Sequence, residues 1–150
     1  MKHHTTHTIL SSILLSSAIL VTQSASAKTV ASDVWARATV AGQNMGGAFM
    51  TLTSDRNAKL ISASSPVSQE VQLHSMVMEG ERMVMQQVHS IDLPANTAVA
   101  LTGQYHLMFM GLKSPLVEGT NIPVTLKIKL ASGYTEKLSL QVPVKALSTR

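Results

Sequence analysis

The chain has 150 residues, with 12 basic and 8 acidic side chains, six histidines, no cysteine, 45% hydrophobic residues and only 3% aromatic ones. This length suits one domain around one core, and the lack of cysteine excludes both a disulfide framework and a lipid-bearing cysteine within this sequence. The basic residues, among them Arg37, Arg56, Lys59, Arg82, Lys113, Lys127, Lys129 and Lys137, are dispersed along the chain without interleaved stacking aromatics. Nucleic-acid binding is therefore not expected.

In chain order, Lys2, the apolar stretch from Ile9 to Val21 and the small-x-small triplet Ala25-Ser26-Ala27 read as a secretory signal peptide over 1–27, cleaved after Ala27. The apolar stretch is shorter than the roughly 20 residues of a membrane span and no second one follows, so no permanent membrane anchor is expected. The mature domain, 28–150, then has 123 residues, and with Lys2 removed it carries 11 basic against 8 acidic side chains, a net charge of +3. His3, His4 and His7 resemble a metal-binding tract but fall in the discarded segment, which leaves His74, His89 and His106.

No long stretch of the mature chain repeats apolar residues at helical spacing, whereas short alternating runs recur between turn residues. Strands are predicted near 33–40, 46–53, 58–64, 69–78, 83–89, 97–102, 105–110, 122–130 and 134–142, an all-β sandwich's worth. Gly46-Gly47, Glu79-Gly80, Asp92-Leu93-Pro94, Gly103, Gly119-Thr120-Asn121 and Ser132-Gly133 punctuate them as turns. At the C-terminal end Val124, Leu126, Ile128 and Leu130, followed by Leu138, Leu140 and Val142, alternate with polar residues, which predicts a hairpin with one wet face and one core face. Trp35, the only tryptophan, is expected to anchor the core from the first strand.

Six of the eight mature methionines (Met76, Met78, Met83, Met85, Met108 and Met110) crowd into residues 76–110. A single methionine is usually a gap filler in a core, but strand parity argues otherwise here. Along Val71 to Met78, Leu73 and Val77 share one face with Val71, and His74, Met76 and Met78 share the other. A two-residue turn at Gly80-Glu81 pairs Glu79 with Arg82, Met78 with Met83, Met76 with Met85, and His74 with Gln87. His74 and Met85 become diagonal neighbours roughly 7 to 8 Å apart, a gap that a metal ion can bridge. In Tyr105 to Met110, parity likewise sets His106, Met108 and Met110 against Leu107 and Phe109. The two segments together offer two imidazoles and at least two thioethers. Neutral, soft thioethers with imidazole and no thiolate favour Cu(I) over Mg²⁺, Ca²⁺ or Zn²⁺. Such a site also survives in an oxidising compartment, where paired cysteines would be consumed.

Asp33-Val34-Trp35-Ala36-Arg37, Gly47-Ala48-Phe49-Met50-Thr51, His74-Ser75-Met76, Gly80 to Met85 and Gly103 to Leu112 together make the chain resemble the PCuAC family of periplasmic copper chaperones. The resemblance covers nearly the whole mature domain. It implies a single-domain, cupredoxin-like β-sandwich of Greek-key type, one Cu(I) per chain and a periplasmic, monomeric carrier. It also implies a copper-accepting partner, either a cytochrome c oxidase subunit, through its CuA centre, or another copper carrier. The family motif runs His, ten residues, Met, twenty-one residues, His, one residue, Met. His74 and Met85 match the first spacing, His106 and Met108 the last, so the resemblance assigns the metal to His74, Met85, His106 and Met108. The middle interval, 86–105, is one residue short. Its turn residues, Asp92 to Asn96 and Thr102 to Gln104, can lose a residue without flipping a strand. Met83 shares the parity of Met85 and is the alternative at that position.

Met76, Met78 and Met110 are either reserve ligands or a rim recognised by a partner, with rim packing expected; Met45, in the loop 42–46, is expected to be exposed and caps the site only if that loop folds over it; and His89 is expected to face solvent at a strand end. Three other functions compete. An electron-transfer cupredoxin would need a thiolate for a blue site, and the chain has none. A copper enzyme would need a nucleophile, base and orienting group that the dispersed carboxylates do not supply. A metal-free adhesion or assembly module would use the methionines as an exposed apolar patch.

Overall fold

The computed structural model describes residues 28–146, so the signal peptide expected over 1–27 lies outside the described residues. Ten strands follow one another: β1 (Thr29–Arg37), β2 (Met45–Ser54), β3 (Ala58–Ser64), β4 (Ser68–Glu79), β5 (Arg82–Gln87), β6 (Ile91–Leu93), β7 (Ala98–Leu101), β8 (Tyr105–Leu112), β9 (Asn121–Leu130) and β10 (Thr135–Lys145). The added strand is β6, where the sequence predicts a turn at Asp92-Leu93-Pro94. It pairs with β3, and Ile91 and Leu93 are buried on either side of an exposed Asp92. Three residues are too few for their alternation to register as a strand in the sequence.

The strands β4, β8, β2, β1, β10, β9 and β3 are joined side by side, and β3 meets β4 again where Ala63 pairs with Val71. The faces of the expected sandwich are thus continuous round a closed ring, which is antiparallel except between β1 and β10. Closure leaves few open edges in the ring, and β5, β6 and β7 pair with the stretches of β4, β3 and β2 that it leaves open.

Outside the bulges, alternate residues of the ring strands point inward. Met50 and Leu52 of β2, Leu60 of β3, Leu107 and Phe109 of β8, Leu126 and Ile128 of β9 and Val142 of β10 are fully buried. The predicted C-terminal hairpin forms, with Leu138 opposite Leu126 and Leu140 opposite Val124.

Trp35 departs from its expected place. In β1, Thr29 points inward, but the register slips between Ser32 and Trp35, and Asp33 sits at φ 51°. This is a bulge, and one extra residue reverses the parity of everything after it. Ala36 is therefore the buried residue, while Trp35 lies half-buried on the outer surface, stacked on Phe49 at 4.5 Å between ring centroids. The dispersed lysines also come together. Lys59 faces Lys129, and Lys127 faces Lys137, on the exposed side of β3, β9 and β10. Asp92 forms an ion pair with Lys59.

On β8 the two faces make different demands. Leu107→Ala empties a fully buried position and is expected to cost about 2–5 kcal/mol. Met108→Leu keeps volume at a half-buried outer position and is expected to cost less than about 1.5 kcal/mol. Urea denaturation of the two variants measures both.

Candidate metal centre

The site is built on the outer face of β5, β4, β8 and β2. The turn at Gly80 sets its first register. Gly80 adopts φ +63°, which an L side chain takes only with strain, and this places Glu79 opposite Arg82. The pairs that follow are those predicted: Met78 with Met83, Met76 with Met85, and His74 with Gln87. The amide of Val88 bonds the carbonyl of Leu73 at 2.8 Å. That makes Leu73 and Val88 a hydrogen-bonded pair, and strict alternation makes the three pairs bearing His74, Met76 and Met78 non-hydrogen-bonded, the kind whose side chains approach more closely.

Pairing of β4 with β8 sets the second register. His74 lies directly opposite His106, Gln72 opposite Met108 and Glu70 opposite Met110. On the far side of β8, Gly47 is opposite Met108, and Met45 is opposite Met110. Met45 is thus the first residue of β2 rather than part of a loop, and it is 45% exposed.

These two registers bring the predicted residues together. The rings of His74 and His106 lie 5.9 Å apart between centroids. Nε2 of His106 meets Sδ of Met85 at 3.4 Å. A thioether is a weak acceptor, so the contact is worth little as a hydrogen bond; its importance is that two metal-binding atoms converge on one spot. Met83 instead pairs with Met78, one step nearer the hairpin tip. Met108 sits two residues beyond His106 on the same face, diagonal to His74. His89 lies beyond the end of β5, exposed to solvent.

The protonation of His74 follows from its neighbours. Gln72 donates through Nε2 to Oε2 of Glu70 at 3.0 Å, which turns its amide oxygen toward His74. That oxygen lies 2.9 Å from Nε2 of His74 and can only accept, so the ring donates there and its lone pair is left on Nδ1. Nδ1 is buried and has no hydrogen-bond partner. An unpaired buried polar atom costs about 1–3 kcal/mol, a cost relieved by a metal ion bound to that lone pair. The relay Glu70-Gln72-His74 lay within reach of strand parity, since the three residues are spaced by two on β4, but neither Glu70 nor Gln72 carries a metal-binding signal of its own.

Both imidazoles are held below the ordinary histidine pKa. Burial lowers His74 first, and the nearby charge of His106 lowers it further. Burial lowers His106, partly opposed by a hydrogen bond to the Gly103 backbone. Neutral imidazole is the form that binds a metal. Among the described residues no group of three or more His, Cys, Asp or Glu side chains is placed to hold a metal ion. A hard cation or a carboxylate-bound zinc therefore has no alternative cluster there. Two imidazoles with neighbouring thioethers fit a soft, monovalent ion such as Cu(I).

Solved structures share this architecture. The copper-bound PCuAC domain from PmoF2 superposes with a TM-score of 0.64 at 21% identity, covering 79% of this chain and 93% of that one. The apo PCuAC domain from PmoF1 matches with a TM-score of 0.63 at 16% identity, covering 79% and 94%. The solution structure of CuI-DR1885 from Deinococcus radiodurans matches with a TM-score of 0.55 at 32% identity, covering 77% and 76%. The fold is the cupredoxin-like one of PCuAC domains, as expected. The family described as "Putative lipoprotein LpqE-like" matches residues 29–144, and the chain belongs to this PCuAC-type family. It is 36% identical over 121 residues to "Putative lipoprotein Lxx21020" of Leifsonia xyli subsp. xyli (strain CTCB07), covering 78% of this chain and 69% of that protein. Both descriptions use the word lipoprotein, whereas this sequence contains no cysteine that could carry a lipid.

The lowered pKa values fix the sign of a pH effect. Between those values and the unfolded value of about 6.5, the unfolded chain binds more protons at His74 and His106 than the folded one. Their stabilising contribution is complete above that window and lost as pH falls through it. The melting temperature of the copper-free chain is expected to fall on acidification from above about pH 6.5, and less steeply in His74→Gln/His106→Gln. Nitrogen-15 NMR of the copper-free chain is expected to find His74 protonated on Nε2 and bare on Nδ1, and Gln72→Leu is expected to remove that tautomer preference.

Proposed function

We propose that this protein is an exported copper chaperone that binds one Cu(I) through His74, Met85, His106 and Met108 and hands it to a cuproprotein. The supporting observation is the convergence of His106 Nε2 on Met85 Sδ at 3.4 Å, beside His74, whose Nδ1 is buried and unpartnered. The copper-bound PmoF2 domain and CuI-DR1885, which this chain is similar to, point the same way.

The four ligands are neutral when the imidazoles are deprotonated, so binding does not depend on paired anionic charge. The ion is cargo, and each step of loading and release exchanges one neutral donor for another without electron transfer. Met85 is 48% exposed, so it can detach and give way to an acceptor's ligand while both histidines keep hold. By resemblance the acceptor is the CuA centre of cytochrome c oxidase or another copper carrier. In this reading residues 1–27 are a signal peptide cleaved after Ala27, and the domain 28–150 works as a monomer in the periplasm. No helix among the described residues is long and apolar enough to cross a membrane.

Anaerobic titration of the purified chain with Cu(I) against a competing chelator, with metal counted per chain, tests the proposal. One tight equivalent is expected, lost in Met85→Leu and in His106→Gln but kept in His89→Gln. No tight equivalent in the unaltered chain would rule the reading out in favour of a metal-free assembly module, and the same behaviour from all three variants would show the four-residue site to be wrong.

A further inference from the structure

Of the five methionines that neither the buried core nor the four-residue centre uses (Met45, Met76, Met78, Met83 and Met110), Met78 and Met83 are the most exposed. Met78 and Met83 are 61% and 65% exposed, so neither has a packing role that would explain a large apolar side chain. They face each other across the last pair before the turn-flanking Glu79 and Arg82. That pair is non-hydrogen-bonded by the alternation established from Val88 and Leu73, and the Cβ atoms of such pairs lie roughly 4.5 to 5.5 Å apart. With three rotatable bonds each, two thioethers at that separation can converge on one ion.

Met76 and Met85 form the next pair on the same face. Two residues along a strand are about 6.7 Å, so one step separates the tip pair from a residue that already touches His106. Glu79 and Arg82 project from the opposite face by parity, which leaves sulfur as the donor that the two strands present on this face of the tip.

We infer that Met78 and Met83, with Met76 as third donor, form a second soft-metal site made of thioethers alone, which takes up Cu(I) and passes it one step along the hairpin to the His and Met centre. The inference rests on the copper reading above. Thioethers without imidazole are the weaker donor set, so the ion moves from weaker to stronger ligands as it travels inward. Transfer is ligand exchange: a Met78 or Met83 sulfur bond to copper breaks as one to Met85 forms, and copper remains Cu(I) throughout.

Methyl-labelled methionine NMR of the purified chain, titrated anaerobically with Cu(I), tests this. The first equivalent is expected to shift the methyls of Met85 and Met108, and the second those of Met78 and Met83. In Met78→Leu/Met83→Leu, where both positions are exposed and volume is kept, the first equivalent is expected to persist and the second to disappear. Loading of the first site from a Cu(I)-chelator complex is expected to slow in the same variant. A second equivalent that never forms, or one that survives in the double variant, overturns the inference while leaving the four-residue centre standing. Loss of the first equivalent from the unaltered chain would instead strike the copper reading itself.

Discussion

The pairing of His74 directly with His106 across β4 and β8 is the constraint on which the rest of the site depends. In a pleated sheet, register and facing are a single decision: a slip of one residue would turn every outer side chain inward. Leu73, Leu107 and Phe109 hold that register because each is buried in the core. The same burial that stabilises the ring thus carries two imidazoles to the same level of the outer face. The Gly80 turn does the equivalent for β5, adding Met85 from outside the ring.

The electrostatic character of the centre follows from its lack of charge. Two imidazoles kept neutral by burial, beside uncharged sulfurs, cannot compensate a divalent cation as carboxylates or thiolates do. A monovalent, polarizable ion is the better match. Glu70 supplies an anchoring charge, and it acts through Gln72 rather than on the site directly. Its effect is orientation: it fixes which nitrogen of His74 holds a proton, and so where the ring can bind.

The outer face also extends past the metal centre. On one side it runs to the exposed methionines of the hairpin, on the other across Gly47 to the stacked Phe49 and Trp35, with Arg37 and Lys145 lying over those rings at 5.8 Å. The hairpin side is an addition outside the closed ring, held through β4 alone. Its methionines therefore contribute little to the core, and their chemistry can vary without disturbing the barrel.

Much of this was determined by the sequence, because the relevant signals are local. Alternation in Val71 to Met78 and Tyr105 to Met110 separated His and Met from the apolar bulk, and one glycine in the right place set the hairpin register residue for residue. The resemblance in motif spacing singled out four residues among eleven mature His and Met. Other features were decided only by the tertiary structure, for reasons that are not local. The bulge at Asp33 that turns Trp35 outward is an extra residue opposite a partner strand, invisible until the partner is known. The strand at Ile91 exists because β3 offers it an edge. Lys59, Lys127, Lys129 and Lys137 are far apart along the chain and gather only when three strands align. Met85 and Met83 have the same parity, and it is the joint register of β5, β4 and β8 that sets Met85 opposite Met76 and against His106 while Met83 lies opposite Met78.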